Sequence, residues 1–153
     1  MLKTLSCTLL VVFSSFSFSA QATDDLAVQF AKQFNVARTL VSLYEQEAKK
    51  RDPNTKLSAE AGRAFYIKKV NVAGKDLSCS SCHTDDPTKE GKHNETGNSI
   101  KPLAISANPD RFSDQGKVER NFLKHCRDLY GHDCSAKDKG DYLTYLLSVE
   151  KKK

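Results

Sequence analysis

Near the middle of the chain stands Cys79-Ser80-Ser81-Cys82-His83, the spacing C-x-x-C followed at once by histidine. Two thiols separated by two residues can add to the two vinyl groups of one porphyrin. The next residue then brings an imidazole beneath the iron as proximal axial ligand. The motif therefore predicts one covalently attached haem c, with Cys79 and Cys82 as thioether donors and His83 as the iron ligand. A dithiol redox pair would need only the cysteines, and half of a zinc site would need two further ligands. The adjacent histidine favours haem over both.

Haem attachment of this kind needs an exported chain, and the first residues are consistent with export. Lys3 opens a short basic region, Leu5 to Phe18 is mostly apolar, and Ala20-Gln21-Ala22 fits a small-x-small cleavage site. Residues 1–22 are expected to be a secretory signal peptide, which places the mature protein in the periplasm. No other apolar run is long enough to span a membrane, so a soluble protein is expected. The formal net charge of +5, one unit lower without Lys3, sits largely in Lys49-Lys50-Arg51, Lys68-Lys69 and Lys151-Lys152-Lys153. These read as solvated helix ends, or as lysines that steer an acidic redox partner. An exported chain without a recognised binding motif gives no reason to expect nucleic acid.

Cys7 leaves with the signal peptide, so four cysteines remain. With Cys79 and Cys82 assigned to haem, Cys126 and Cys134 read as a disulfide in an oxidising compartment. A zinc site built from His125, Cys126, His132 and Cys134 is the competing arrangement. Composition also bears on the sixth iron ligand. Met1 is the only methionine, so the thioether common in small cytochromes c is not available to the mature chain. His93 lies between Lys92 and Asn94 and reads as a solvated loop residue, and His132 falls inside the proposed disulfide loop. His125 shares a helical stripe with Val118, Phe122 and Leu129, which makes it the expected distal ligand; a lysine or a vacant position is the alternative.

Four helices are expected to position these groups. From Asp24 to Arg51, Leu26, Phe30, Phe34, Ala37, Val41, Tyr44 and Ala48 recur at helical steps, with Asp24 and Asp25 at the positive end and Asp52-Pro53 as the stop. Ser58 caps a second helix to about Val70, in which Gly62 marks a close approach by the C-terminal helix of about Lys137 to Lys151. Ser113 or Asp114 caps a third helix ending near Gly131. Between His83 and Asn108 the chain is polar and interrupted by Pro87, Gly91, Gly97 and Pro102, and reads as a long loop around a haem edge.

With these pieces placed, the stretch from about Leu40 to Val149 resembles the small oxygen-binding cytochromes c of the sphaeroides haem protein (SHP) family. The likeness rests on Gly62-Arg63-Ala64, on Gly97-x-x-Ile100-x-Pro102-Leu103-Ala104, on Pro109-Asp110-Arg111-Phe112-Ser113-Asp114, on Val118-Glu119, and on Cys126 with Gly131-x-Asp133-Cys134. The resemblance implies an all-α, class I-like monohaem fold, a Cys126–Cys134 disulfide, and a distal ligand just before Cys126. The best-known member has asparagine there; here it is His125, a stronger iron ligand than a carboxamide.

The expected organisation is thus a signal peptide at 1–22, an N-terminal helical extension at 23–57 and a cytochrome c domain at 58–153. The expected function is electron transfer, which requires no substrate chemistry. The alternative is a haem protein that binds O2, NO or CO, or acts as a terminal redox enzyme, at a distal site opened by ligand loss. The partners implied by the resemblance are a dihaem cytochrome c and a membrane cytochrome b.

Overall fold

The computed structural model describes residues 20–150, so residues 1–19 of the expected signal peptide lie outside the described residues. The expected helical periodicity appears as α1 (Ala20–Lys49), α2 (Ala59–Ile67), α4 (Gln115–Tyr130) and α5 (Ala136–Ser148), with a short α3 (Cys79–His83) formed by the thiol motif itself. Among the described residues no helix is long and apolar enough to cross a membrane.

α1 begins earlier than expected, so its first turn holds no acidic residue and Asp24 and Asp25 fall one turn inside it. Its C-terminal half buries Ala37, Leu40, Tyr44 and Ala48 and packs against α5. The helix stops where Pro53 removes a donor and Asn54 N–H bonds the Asp52 carboxylate at 3.0 Å.

α2 starts at Ser58, whose hydroxyl accepts from Ala61 N–H at 3.0 Å. It crosses α5 at Gly62 with almost no clearance. A Cβ on Gly62 would lie 1.9 Å from the Asp141 carbonyl oxygen and 2.8 Å from Tyr145 Cβ. The expected close approach is therefore present and is set by backbone. α5 is capped by Ser135 and Asp138, and it buries Leu143 and Leu146 completely. The Asp141 carboxylate, itself buried, accepts from Ser58 N–H at 2.7 Å and so joins the start of α2 to the middle of α5.

Two hairpins depart from the all-helical expectation. α2 ends at Ile67 rather than near Val70, because Val70–Val72 (β1) pairs antiparallel with Lys75–Leu77 (β2) through the two-residue turn Ala73-Gly74, both at positive φ. Within the stretch expected to be a loop, Gly91–Lys92 (β3) pairs with Ser99–Ile100 (β4). The architecture remains predominantly helical.

A 3-10 turn at Pro109–Phe112 leads into α4, whose cap is Asp114, accepting from Lys117 N–H at 2.9 Å. α4 ends at Gly131, in the left-handed conformation at φ 74°. Glu119 fastens this helix to its neighbours: it accepts from the Tyr44 hydroxyl of α1 at 2.5 Å and from Lys139 of α5 at 2.8 Å. Desolvation opposes ionisation of Glu119, but the Lys139 and Tyr44 hydrogen bonds outweigh it and hold the carboxyl below its ordinary range.

These contacts give a differential test. Gly62→Ala should destabilise the folded protein by about 3 kcal/mol or more, because two backbones must separate. Gly140→Ala meets mainly the Leu57 methyl groups, the nearest at 2.6 Å, which can rotate away. Its cost, offset by the helix preference of alanine, should be about 1 kcal/mol or less. Urea unfolding of the two variants checks the difference, and equal losses would contradict it.

Candidate metal centre

The thiol motif is held in place from below. α3 starts after Ser78, whose buried hydroxyl lies 3.2 Å from that of Ser81, and Ser78 N–H bonds Ser81 Oγ at 3.0 Å. The motif ends at Thr84, a non-glycine residue with φ 64°, a conformation that persists only where the surroundings enforce it. Tyr66, fully buried on α2, enforces it by directing its hydroxyl at the Thr84 carbonyl (2.5 Å) and the His83 carbonyl (3.1 Å). From the other side Gly91 of β3 packs onto the motif; a Cβ there would lie 2.1 Å from the Cys82 carbonyl oxygen and 2.9 Å from His83 Cα. Neither Tyr66 nor Gly91 was expected to position the site. Gly62, on the same helix as Tyr66, signals only the approach of α5, and a lone glycine in a polar stretch carries no signal at all.

Above the motif is a cavity of about 550 Å3, and Cys79, Cys82, His83 and His125 all line it. α3 packs on α2 and β3, whereas α4 packs on β1 and the 3-10 turn. The two histidines thus reach the cavity from different walls. His125 stands on α4 with Val118, Phe122 and Leu129, and all of these line the cavity as the stripe implied. Val118 and Phe122 are buried, while His125 is exposed at the mouth. His93, expected to be solvated, is exposed, yet it also borders the cavity from the β3–β4 hairpin. Its Nδ1 accepts from the N–H groups of Glu95 and Thr96, each at 3.3 Å. His132 does not line the cavity; its Nδ1 lies 2.9 Å from the Asp133 carbonyl.

The electrostatics suit metal ligation. Burial, with smaller effects from Arg111 and His125, pushes His83 down to about 4, so its imidazole is neutral and offers a lone pair. Partial desolvation against the cavity wall likewise lowers His125, although the residue is exposed, and Lys124 adds to the effect. The Cys79 thiol is pushed up to about 11 by burial, the opposite of the depressed value that a reactive C-x-x-C thiolate needs. Cys126 and Cys134 form a disulfide with Cα atoms 5.6 Å apart. That bridge deprives the competing zinc set of its sulfurs. It also ties the residue after His125 to the chain beyond Gly131.

The residues fit a haem. The two free thiols stand at the cavity wall, and much of the remaining lining is aromatic or aliphatic, including Phe65, Val72, Leu77, Leu103 and Tyr142. The buried hydroxyl of Tyr130, which also lines the cavity, has no hydrogen-bond partner among the described residues, as expected where a bound group completes the surface.

Comparison with known proteins supports the same chemistry. Residues 52–146 match the family described as a domain of unknown function, DUF1924. Cytochrome c'' of Methylophilus methylotrophus is 34% identical over 151 residues, spanning 98% of this chain and 96% of that protein. The crystal structure of its oxidised form superposes with a TM-score of 0.73 at 38% identity, covering 77% of this chain and 98% of that one. The cytochrome c-type protein SHP of Cereibacter sphaeroides is 40% identical over 91 residues, 59% of this chain and 70% of that protein. Its oxidised structure, described as that of an oxygen-binding cytochrome c, gives a TM-score of 0.64 at 35% identity over 72% of this chain and 94% of that one.

The packing of Gly91 on Cys82 leads to a specific expectation. Gly91→Ala should displace the Cys82-His83 backbone, lower the yield of haem-loaded protein several-fold and shift its visible spectrum. Gly116→Ala, whose Cβ would meet only side-chain atoms of Arg120 and Asp114, should leave both unchanged. A Gly91→Ala protein with normal yield and spectrum would show that this contact does not set the site.

Proposed function

We propose, for a chain that belongs to the DUF1924 family and is a c-type haem protein related to cytochrome c'' and SHP, that it is a periplasmic monohaem electron carrier with iron held between His83 and His125. The observation that carries this reading is the convergence of Cys79, Cys82, His83 and His125 on one cavity from two walls of the fold. When bound, haem supplies a one-electron couple. The protein's part is to hold it and tune it.

Cys79 and Cys82 anchor the macrocycle through thioethers. His83 supplies a neutral imidazole whose backbone is fixed by Tyr66, so its approach varies little between oxidation states. Phe65, Phe122 and Tyr142 exclude water and keep the local dielectric low. A His/His pair leaves the reduction potential below that of a His/Met pair in a comparable pocket, since methionine raises it. In this reading residues 1–22 direct export, residues 23–57 form a helical extension and residues 58–153 form the haem domain. The redox partners are a dihaem cytochrome c and a membrane cytochrome b.

One observation favours a second reading. His125 is exposed at the cavity mouth while His83 is not, so the distal imidazole has room to leave the iron and admit O2, NO or CO. Oxygen binding is described for SHP, and haem-ligand detachment for the solution structure of cytochrome c''.

His125→Ala separates the possibilities. The oxidised wild type should give a low-spin bis-imidazole electron paramagnetic resonance spectrum, and the variant a high-spin or water-ligated one that binds carbon monoxide readily when reduced. A reduced wild type that resists carbon monoxide supports the carrier, and one that binds it at once supports the second reading. Unchanged spectra in the variant would show that His125 is not the ligand.

A further inference from the structure

Arg111 sits in the 3-10 turn before α4, half-buried, and lines the haem cavity. Among the described residues its guanidinium has no hydrogen bond or ion pair. The carboxylates that share the lining do not serve it: Asp128 is paired with Lys124 at 2.6 Å, and Glu95 makes no bond to it. A cation held partly out of water beside Phe112 and Leu103 is costly unless an anion meets it, and guanidinium presents a planar fork matched to a carboxylate. Haem is an apolar ring with carboxylates on its propionate side chains. From this arrangement we infer that Arg111 is the carboxylate receptor of the cavity and pairs with a haem propionate, orienting the ring between His83 and His125.

The inference rests on the haem reading above. Two further features agree with it. The Arg111 charge reaches both His83 and His125, so the cation stands within electrostatic range of both imidazoles. Arg111 also follows Pro109 in a turn whose Arg111 N–H bonds the Asn108 carbonyl at 3.1 Å, and the Asn108 amide donates to the Pro102 carbonyl at 2.8 Å. The backbone that carries the guanidinium is thereby fixed to the segment following β4. Arg111 is a cofactor-positioning residue. By neutralising a propionate it should favour the reduced state.

The test uses haem-loaded protein, whose spectrum and mass first establish that the cofactor is present. Nuclear magnetic resonance should give Overhauser contacts between the propionate methylene protons and the Arg111 δ-protons, with slowed exchange of the guanidinium Nε proton. At fixed pH, Arg111→Gln should shift the ratio of reduced to oxidised protein at a given applied potential by up to tenfold toward oxidised, equivalent to about 59 mV for one electron. Arg111→Lys, which keeps the charge but not the fork, should recover most of that shift. Normal haem content with propionate contacts to other residues only would overturn the inference while leaving the haem reading intact. So would an Arg111→Gln potential equal to that of the wild type. If Arg111→Gln fails to mature, the wild-type contacts and the lysine variant still decide the matter.

Discussion

The site depends on one backbone contact, the crossing of α2 and α5 at Gly62. With no side chain at that position, the two helices approach until the Asp141 carbonyl occupies the space a Cβ would fill. One turn further along α2, Tyr66 is then buried beneath the thiol motif, where its hydroxyl binds the carbonyls of His83 and Thr84. The same approach brings Tyr142 of α5 to the cavity wall. The position of His83 is therefore inherited from helix packing through the Tyr66 hydroxyl, together with the Gly91 contact on the other side, rather than from the motif alone.

The distal wall is secured differently. α4 does not share the tight crossing, and it is held at several points along its length: the Asp114 cap, the Glu119 bonds to Tyr44 and Lys139, and the Cys126–Cys134 bridge. A short loop closed by a disulfide gains about 2 to 3 kcal/mol in the chain-entropy account, and here the bridge starts one residue after His125. The bridge restrains the backbone while the imidazole itself stays exposed. In the proposed reading, a firmly held His83 and a His125 with room to move are the physical basis on which electron transfer and ligand binding become neighbouring possibilities of one fold.

Much of this was legible in the residues. Helices of nine residues or more announce themselves through period and caps, and Gly62, Ser58, Asp114 and Gly131 all act as their types suggested. The motif and the stripe Val118, Phe122, His125 and Leu129 point both histidines toward a shared haem site, and both line one cavity. The hairpins were not legible, since strands of two or three residues are too short to show alternation. Nor were Tyr66, Gly91 and Arg111, because their roles arise from contacts between segments distant in sequence. His93 shows the same limit: polar neighbours correctly indicated exposure, but not the folding of the hairpin toward the cavity.

Peptide mass mapping decides whether Cys79 and Cys82 hold the haem covalently. Protein produced in a host that matures c-type cytochromes, digested with trypsin, should yield the fragment from Asp76 to Lys89 carrying the mass of one haem, resistant to acidified solvent. Recovery of that fragment without haem, with both thiols open to alkylation in otherwise folded protein, would show that the two cysteines do not carry it.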